Sequence, residues 1–67
     1  MIVLNGEASE VLPGETVEGV LLALGLTAEE RGVAVAVDGE VVPRAEWPIF
    51  RLAEDARVEV LRAMQGG

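Results

Sequence analysis

The side chains that could carry out covalent chemistry are nearly absent from this sequence of 67 residues. It has no cysteine and no histidine, and its five basic residues are all arginine. A thiolate nucleophile, an imidazole base, a lysine Schiff base and a zinc or iron–sulfur site are therefore excluded. The only aliphatic hydroxyls belong to Ser9, Thr16 and Thr27, and none has a base nearby in the sequence. We expect a protein that is not an enzyme by itself and that binds no metal or cofactor of its own.

One group with usable chemistry remains, and it is the carboxylate at the end of the chain. The sequence closes with Met64, Gln65, Gly66 and Gly67, and we interpret residues 64–67 as a flexible tail behind a domain that spans 1–63. Because glycine has no Cβ, such a tail can pass through a narrow channel in another protein. Its four residues reach at most about 13–14 Å, which suits an enclosed nucleotide pocket.

The Gly67 carboxylate must be activated before it can carry anything, because its reference pKa of about 3.5 leaves it ionised and a poor electrophile at neutral pH. Attack on the α-phosphate of ATP, bound by a partner enzyme, would convert it to an acyl-adenylate. A thiol or persulfide of a partner could then displace AMP. Since the chain lacks cysteine, any sulfur that it carries must sit on the Gly67 carbonyl as a thiocarboxylate.

The elements that must hold this tail follow from the hydrophobic pattern. Residues 1–5 and 8–12 read as two strands joined by Asn5-Gly6, a pair typical of a type I′ hairpin turn. Apolar residues spaced at i, i+3, i+4 and i+7 predict a helix over 16–24, with Thr16 at its start and Gly25 just after its end.

The second half of the chain predicts a further hairpin and a last strand. Valine alternates with alanine over 33–37, Asp38-Gly39 turns the chain into a strand at 40–42, and Pro43 ends it. Residues 45–48 read as a loop or short turn from which Trp47 enters the core. The last strand covers 57–63, and its alternation turns Val58 and Val60 inward and Leu61 outward.

This element order has one economical arrangement, in which the helix lies across a mixed sheet of four or five strands and the last strand runs parallel to the first. The predicted fold is therefore α+β, with the β-grasp arrangement. A net charge of −7 disfavours nucleic acid and anionic membranes and favours partners with basic grooves. The longest apolar runs, 20–24 and 33–37, are far too short to span a membrane, and we expect a cytoplasmic protein.

Two segments of the sequence resemble the ThiS-type sulfur carriers of thiamin biosynthesis. They are Val33-Ala-Val-Ala-Val-Asp-Gly-Glu-Val-Val-Pro-Arg-Ala-Glu-Trp47 and Arg57-Val-Glu-Val-Leu-Arg-Ala-Met-Gln-Gly-Gly67. The helix at 16–24 is similar as well. Two departures concern turns: Glu54-Asp55 stands where related chains often have an acidic residue and glycine, and Asp38 stands where many have asparagine.

The resemblance implies a ubiquitin-like β-grasp protein with three partners. A ThiF-type, E1-like enzyme would adenylate Gly67, a cysteine desulfurase or other persulfide donor would supply sulfur, and thiazole synthase would consume it. In ubiquitin-like proteins the outer face of the sheet docks the activating enzyme. We therefore expect Leu61, with Ala34 and Ala36, to form a partner interface, and Met64 to contribute beside it.

Other functions fit the same residues. A sulfur carrier for molybdopterin synthesis or tRNA thiolation would share the fold and the Gly-Gly end and differ in the acceptor of the sulfur. A ubiquitin-like modifier would be joined to other proteins through Gly67. A plain binding module would keep its function without Gly66 and Gly67.

Overall fold

The computed structural model describes residues 1–11, 14–27 and 31–62. Within them, the elements in chain order are β1 (Ile2–Leu4), β2 (Glu7–Ser9), α1 (Val17–Ala23), β3 (Val33–Val37), β4 (Glu40–Val41), a 3₁₀ turn (Arg44–Glu46) and β5 (Arg57–Arg62). The strands form one sheet in the order β2-β1-β5-β3-β4. β1 and β5 are parallel, and the other neighbouring strands are antiparallel. This is the predicted β-grasp, with five strands and one helix.

Both hairpins close through tight turns in the left-handed region of backbone conformation. Asn5 and Gly6 have φ of 50° and 84°, and Asp38 and Gly39 have φ of 51° and 86°. Two successive positive φ values are the mark of the type I′ turn that both dipeptides predict. The third non-glycine residue with positive φ in the described part of the chain is Asp55, at 64°. The two departures from the family pattern thus lie at positions where asparagine or glycine is the easier residue.

The helix is short, and side-chain and backbone caps define both ends. The Thr16 hydroxyl accepts a hydrogen bond from the Gly19 amide at 3.1 Å, which makes Thr16 the N-cap. At the other end, Gly25 has φ of 82° and its amide bonds to the Leu22 carbonyl, while the Leu26 amide bonds to the Leu21 carbonyl. These two bonds are the Schellman pattern, so the predicted helix end at Gly25 is confirmed.

The core lies between the helix and the inner face of the sheet. Its members are apolar, and among the described residues no polar or charged side chain is buried. Trp47 is 1% exposed, and its indole Nε1 donates a hydrogen bond of 3.0 Å to the Val42 carbonyl, which confirms that it fills the core. The buried residues are Ile2, Val17, Val20, Leu21, Leu26, Val33, Val35, Val37, Val42, Trp47, Leu52, Ala56, Val58 and Val60.

Some boundaries differ from the predicted ones. The second strand was expected over 8–12, but β2 ends at Ser9. Its ladder with β1 ends at Ile2 opposite Ser9, and Ile2 is the first residue of β1, so residues after Ser9 have no strand residue of β1 to pair with. β5 ends at Arg62; Ala63 and the predicted boundary between a domain at 1–63 and a tail at 64–67 lie outside the described residues.

Candidate functional site: the tail root and the outer sheet face

The last described residues, Val60–Arg62, form what we call the tail root, because the predicted tail follows directly from them. The predicted tail residues Met64, Gln65, Gly66 and Gly67 lie outside the described residues. The geometry on which a tail function depends is therefore that of β5 and its neighbours. β5 is the central strand of the sheet and lies between β1 and β3.

On one flank, β5 is paired with β3 along all but its first residue. The antiparallel register with β3 runs from Val37 opposite Val58 to Val33 opposite Arg62. On the other flank, the ladder with β1 is shorter, with Val3 opposite Arg57 and Leu4 opposite Val58. The tail root is thus anchored mainly by β3.

Asn5 follows the last residue of β1 and continues the hydrogen bonding between β1 and β5. Its backbone amide donates to the Val58 carbonyl at 2.9 Å, and its side-chain Oδ1 accepts a hydrogen bond from the Val60 amide at 2.8 Å. The side-chain oxygen thus stands in for the next backbone carbonyl of β1. The Asn-Gly pair predicted the turn, but nothing in the local sequence indicated this contact, because Val60 is 55 residues away.

The opposite end of β5 is held by acidic residues. The Asp38 amide donates to the Arg57 carbonyl at 2.8 Å, and the Arg57 amide donates to Asp38 Oδ1 at 2.9 Å. Just before the strand, Glu54 accepts a hydrogen bond of 2.6 Å from the amino group of Met1. That hydrogen bond, reinforced by the nearby negative charges, raises the pKa of the Met1 amino group above its ordinary value.

The outer face of the sheet carries an apolar surface beside the tail root. Leu61 is 63% exposed and lies directly opposite Ala34, so its predicted outward direction is confirmed. Ala36 is half-buried and lies opposite Val41 of β4, which is 74% exposed. We call Ala34, Ala36, Val41 and Leu61 the outer patch.

Val41 is a member of the outer patch that the sequence reasoning did not single out. The signal was present in the alternation of its strand, because Val42 next to it is buried beside Trp47 and successive side chains of a strand point to opposite faces. The patch therefore crosses three strands, β4, β3 and β5. Its role as a partner interface remains a prediction.

Arg44 lies close to the strand residue that pairs with the tail root. The Arg44 guanidinium lies over the Trp47 ring, 4.4 Å from its centroid, and donates a long hydrogen bond of 3.5 Å to the Val33 carbonyl. Val33 is the residue opposite Arg62. Both arginine side chains are exposed.

Neither a metal-binding cluster nor a membrane-spanning helix occurs in the described part of the chain. Residues 1–11, 14–27 and 31–62 contain no group of three or more histidine, cysteine, aspartate or glutamate side chains placed to hold a metal ion. The helix found in these ranges is neither long nor apolar enough to cross a membrane.

The fold, with its parallel central pair and an exposed apolar patch beside the end of the last strand, defines a ubiquitin-like β-grasp protein. The model of the ThiS family matches residues 2–67, and the chain belongs to that family. The resemblance to ThiS-type sulfur carriers is therefore confirmed.

Two solved structures are similar over nearly the whole chain. The crystal structure of the thiamine biosynthesis protein ThiS from Geobacter metallireducens has 31% sequence identity and a TM-score of 0.79, and the match covers 98% of this chain and 97% of that one. A solution structure of a thiamine biosynthesis protein from the same organism has 33% identity and a TM-score of 0.75, covering 98% of this chain and 86% of that one.

A much longer protein contains a similar segment. The thiazole synthase of Magnetococcus marinus is 39% identical over 64 residues, which are 96% of this chain and 19% of that protein. The chain thus spans about a fifth of the length of this relative.

Proposed function

We propose that this protein is a sulfur carrier of thiamin biosynthesis that transports sulfur as a thiocarboxylate on Gly67. The observation that carries the proposal is the match to the ThiS family over residues 2–67, which includes the two final glycines. The missing nucleophiles support it, since the chain has no side chain on which sulfur could be held.

The first chemical step is activation by a ThiF-like, E1-like adenylating enzyme. A carboxylate oxygen of Gly67 attacks the α-phosphorus of ATP, the bond to the β-phosphate oxygen breaks, and pyrophosphate leaves. The product is an acyl-adenylate, whose AMP is a good leaving group. ATP is bound and used by the partner.

The second step loads the sulfur. The terminal sulfur of a deprotonated persulfide on a cysteine desulfurase or other donor attacks the Gly67 carbonyl carbon, and AMP leaves with the electron pair of the broken bond. A second thiolate then attacks the donor's own sulfur in the resulting acyl disulfide. This releases the Gly67 thiocarboxylate and leaves a disulfide on the donor side, so the thiols supply the two electrons.

The acceptor that we propose is thiazole synthase. A segment similar to this chain occurs within a protein named thiazole synthase, and covalent linkage of two such units favours a working contact between their separate forms. The two similar solved structures are both of thiamine biosynthesis proteins. These similarities favour thiamin biosynthesis over molybdopterin synthesis and tRNA thiolation as the pathway that this carrier serves.

The decisive experiment is an in vitro loading assay. The protein is incubated with a purified ThiF-type enzyme, ATP and a persulfide donor, and its intact mass is measured. We expect the gain of one oxygen replaced by sulfur, mapped to the terminal peptide and absent without ATP. An unchanged mass under conditions that load another ThiS protein would overturn the proposal.

Gly67→Ala tests whether the tail must lack side chains to enter a narrow channel of the adenylating enzyme. A methyl group on the terminal residue would clash only inside the partner's channel, so adenylation should be impaired while the fold is kept. Gln65→Ala is the matched control, because it adds no atoms to the tail. Equal adenylation rates for the two variants would argue against entry into a narrow channel.

A pull-down with the loaded carrier tests the acceptor. Recovery of thiazole synthase is expected. Recovery of a molybdopterin synthase large subunit or a tRNA-thiolating enzyme in its place would assign the carrier to that other pathway. A ladder of higher-mass conjugates formed through Gly67 would indicate a protein modifier.

A further inference from the structure

One acidic side chain lies beside the apolar residues of the outer patch. Glu59 comes two residues before Leu61 in β5 and lies directly opposite Ala36 of β3, which itself lies opposite Val41 of β4. Because alternate residues of a strand share one face of the sheet, the exposed Glu59 side chain projects to the same side as Leu61. A molecule that covers the outer patch from Val41 to Leu61 therefore covers the Glu59 carboxylate as well.

The Glu59 carboxylate is not paired in the free protein as far as the structure describes it. Among the described residues, none forms a hydrogen bond or an ion pair with the Glu59 side chain. This includes Arg57, which lies two residues earlier on the same face of β5. Water solvates an exposed carboxylate, so the free protein needs no partner for this charge.

Glu59 also lines a groove that continues from the outer patch toward the start of β5. The groove has a volume of about 470 Å³ and lies between the two hairpin turns, where Gly6 and Gly39 contribute to its walls. Two acidic residues, Asp38 and Glu59, and one basic residue, Arg57, line it as well. The lining is thus negative in net charge, and the groove has room for a long basic side chain.

We infer that Glu59 pairs with an arginine or lysine side chain of the adenylating enzyme, which enters this groove when the enzyme covers the outer patch. This inference rests on the proposed function. The adenylating enzyme is the partner that we assign, because a tail of four residues reaches only about 13–14 Å. The enzyme that binds the Gly67 carboxylate must therefore contact the tail root, where Leu61 and the outer patch lie.

Loss of water from the carboxylate gives Glu59 a role in specificity. Burial of an unpaired charge is strongly unfavourable, whereas a charge that meets an opposite charge with good geometry is tolerated. An enzyme with a purely apolar surface at this point would be rejected, and one with a basic side chain there would be accepted. The net charge of −7 adds a long-range attraction toward the same basic surface.

The test compares carrier variants with a purified ThiF-type enzyme, first by calorimetric binding without ATP and then by adenylation rate against carrier concentration. We expect Glu59→Gln to raise Kd and KM about fivefold or more, and Glu59→Arg about fiftyfold or more, with kcat within about twofold. The matched controls are Glu40→Gln and Glu40→Arg. Glu40 is an exposed strand residue opposite the buried Val37, so it projects to the other face of the sheet. These controls should change Kd by less than about threefold.

Glu59→Leu separates charge pairing from apolar contact. It enlarges the apolar surface of the outer patch and removes the charge, so an enzyme with a basic side chain at this point should bind it less tightly than the wild type. Equal or tighter binding would overturn the inference. Raising the salt concentration from about 50 to about 500 mM should weaken binding of the wild type more than that of Glu59→Gln, and a parallel decline would contradict the charge pair. Because Glu59 is exposed, the urea midpoints of its variants should stay close to that of the wild type.

Failure of this inference and failure of the proposed function give different results. A wild type that binds the enzyme but is not adenylated would overturn the proposed function, and the Kd comparison would still decide the role of Glu59. Similar Kd values for the Glu59 and Glu40 variants would overturn the inference even when the wild type is adenylated normally. A loss of binding to thiazole synthase alone would overturn the assignment to the adenylating enzyme, and a wild type that does not bind the enzyme would overturn both proposals.

Discussion

The side-chain Oδ1 of Asn5 accepts a hydrogen bond of 2.8 Å from the Val60 amide and so ties the first hairpin turn to the strand that carries the tail. The same residue has φ of 50°, a conformation that asparagine adopts more readily than most residues. Asn5 thus combines two properties, a left-handed backbone and an acceptor of the right length. Asp38 repeats the combination at the other end of β5, with φ of 51° and an acceptor for the Arg57 amide.

Replacing Asn5 should weaken the fold in a graded way. Asn5→Gly keeps the backbone conformation but leaves the Val60 amide without its partner, which should lower the free energy of unfolding by about 1 kcal/mol. Asn5→Ala also adds backbone strain and should cost more. Asn5→Asp keeps an acceptor oxygen and should lie closest to the wild type. Urea unfolding followed by Trp47 fluorescence measures the series; a neutral Asn5→Gly would show that the hydrogen bond is not stabilising.

Two glycines of the helix region should respond oppositely to alanine. Gly25 has φ of 82°, and a methyl group added to its Cα would have no neighbouring atom within 4 Å, so Gly25→Ala suffers from backbone strain alone and should lose about 1 kcal/mol. Gly19 lies inside the helix, where alanine is preferred by about 0.5–1 kcal/mol. Its new methyl group would meet the end of the Glu15 side chain, which can move aside. Thermal and urea unfolding should show one loss and one gain, and two losses would contradict the argument for Gly19.

The outer patch should matter for docking and hardly for stability. Leu61→Ala removes an exposed side chain next to the tail root, so we expect unfolding within about 0.5 kcal/mol of the wild type and a KM for adenylation raised about fivefold. Leu22→Ala is the matched control, because Leu22 is similarly exposed, at 56% against 63%, and lies on the helix. A similar KM for both variants would remove Leu61 from the interface.

Stability should decline at alkaline pH through the Met1–Glu54 ion pair. The hydrogen bond to Glu54 raises the pKa of the Met1 amino group above its ordinary value of about 8. A raised pKa in the folded state means that the contribution is complete below pH about 8 and is lost as the pH rises through the folded-state pKa. Because the sequence has no histidine, cysteine, tyrosine or lysine, no side chain of these types titrates between neutral and alkaline pH and obscures the effect.

The measurement compares urea unfolding between neutral and alkaline pH for the wild type and Glu54→Gln. The wild type should lose stability over this range, and the variant should change less. Glu10→Gln serves as the control, because Glu10 acts on the amino group only through a weaker charge effect. Identical pH dependence in the wild type and Glu54→Gln would contradict the ion pair.

Local sequence patterns were sufficient for the elements whose chemistry is local. Asn5-Gly6 and Asp38-Gly39 predicted their turns because two successive left-handed residues require such types. The outward direction of Leu61 followed from strand alternation alone, as did the inward direction of Val58 and Val60.

Contacts between distant residues could not be predicted in this way. The Asn5–Val60 hydrogen bond and the position of Arg44 between Trp47 and the Val33 carbonyl depend on register between strands, which no short pattern encodes. The early end of β2 has the same origin, since β1 begins too late to pair with residues after Ser9. The roles of Gly67 and of the outer patch depend on other proteins and stay predictions.

The sheet ends in very short edge strands, three residues in β2 and two in β4, with Pro43 soon after β4. An unpaired strand edge is a template on which another molecule can add its own strand, and the template weakens as the edge shortens. A protein with an exposed apolar surface such as the outer patch runs the risk of adhering to its own copies. Here the short edge strands offer a neighbouring copy little backbone with which to pair, which favours separate molecules over fibrils.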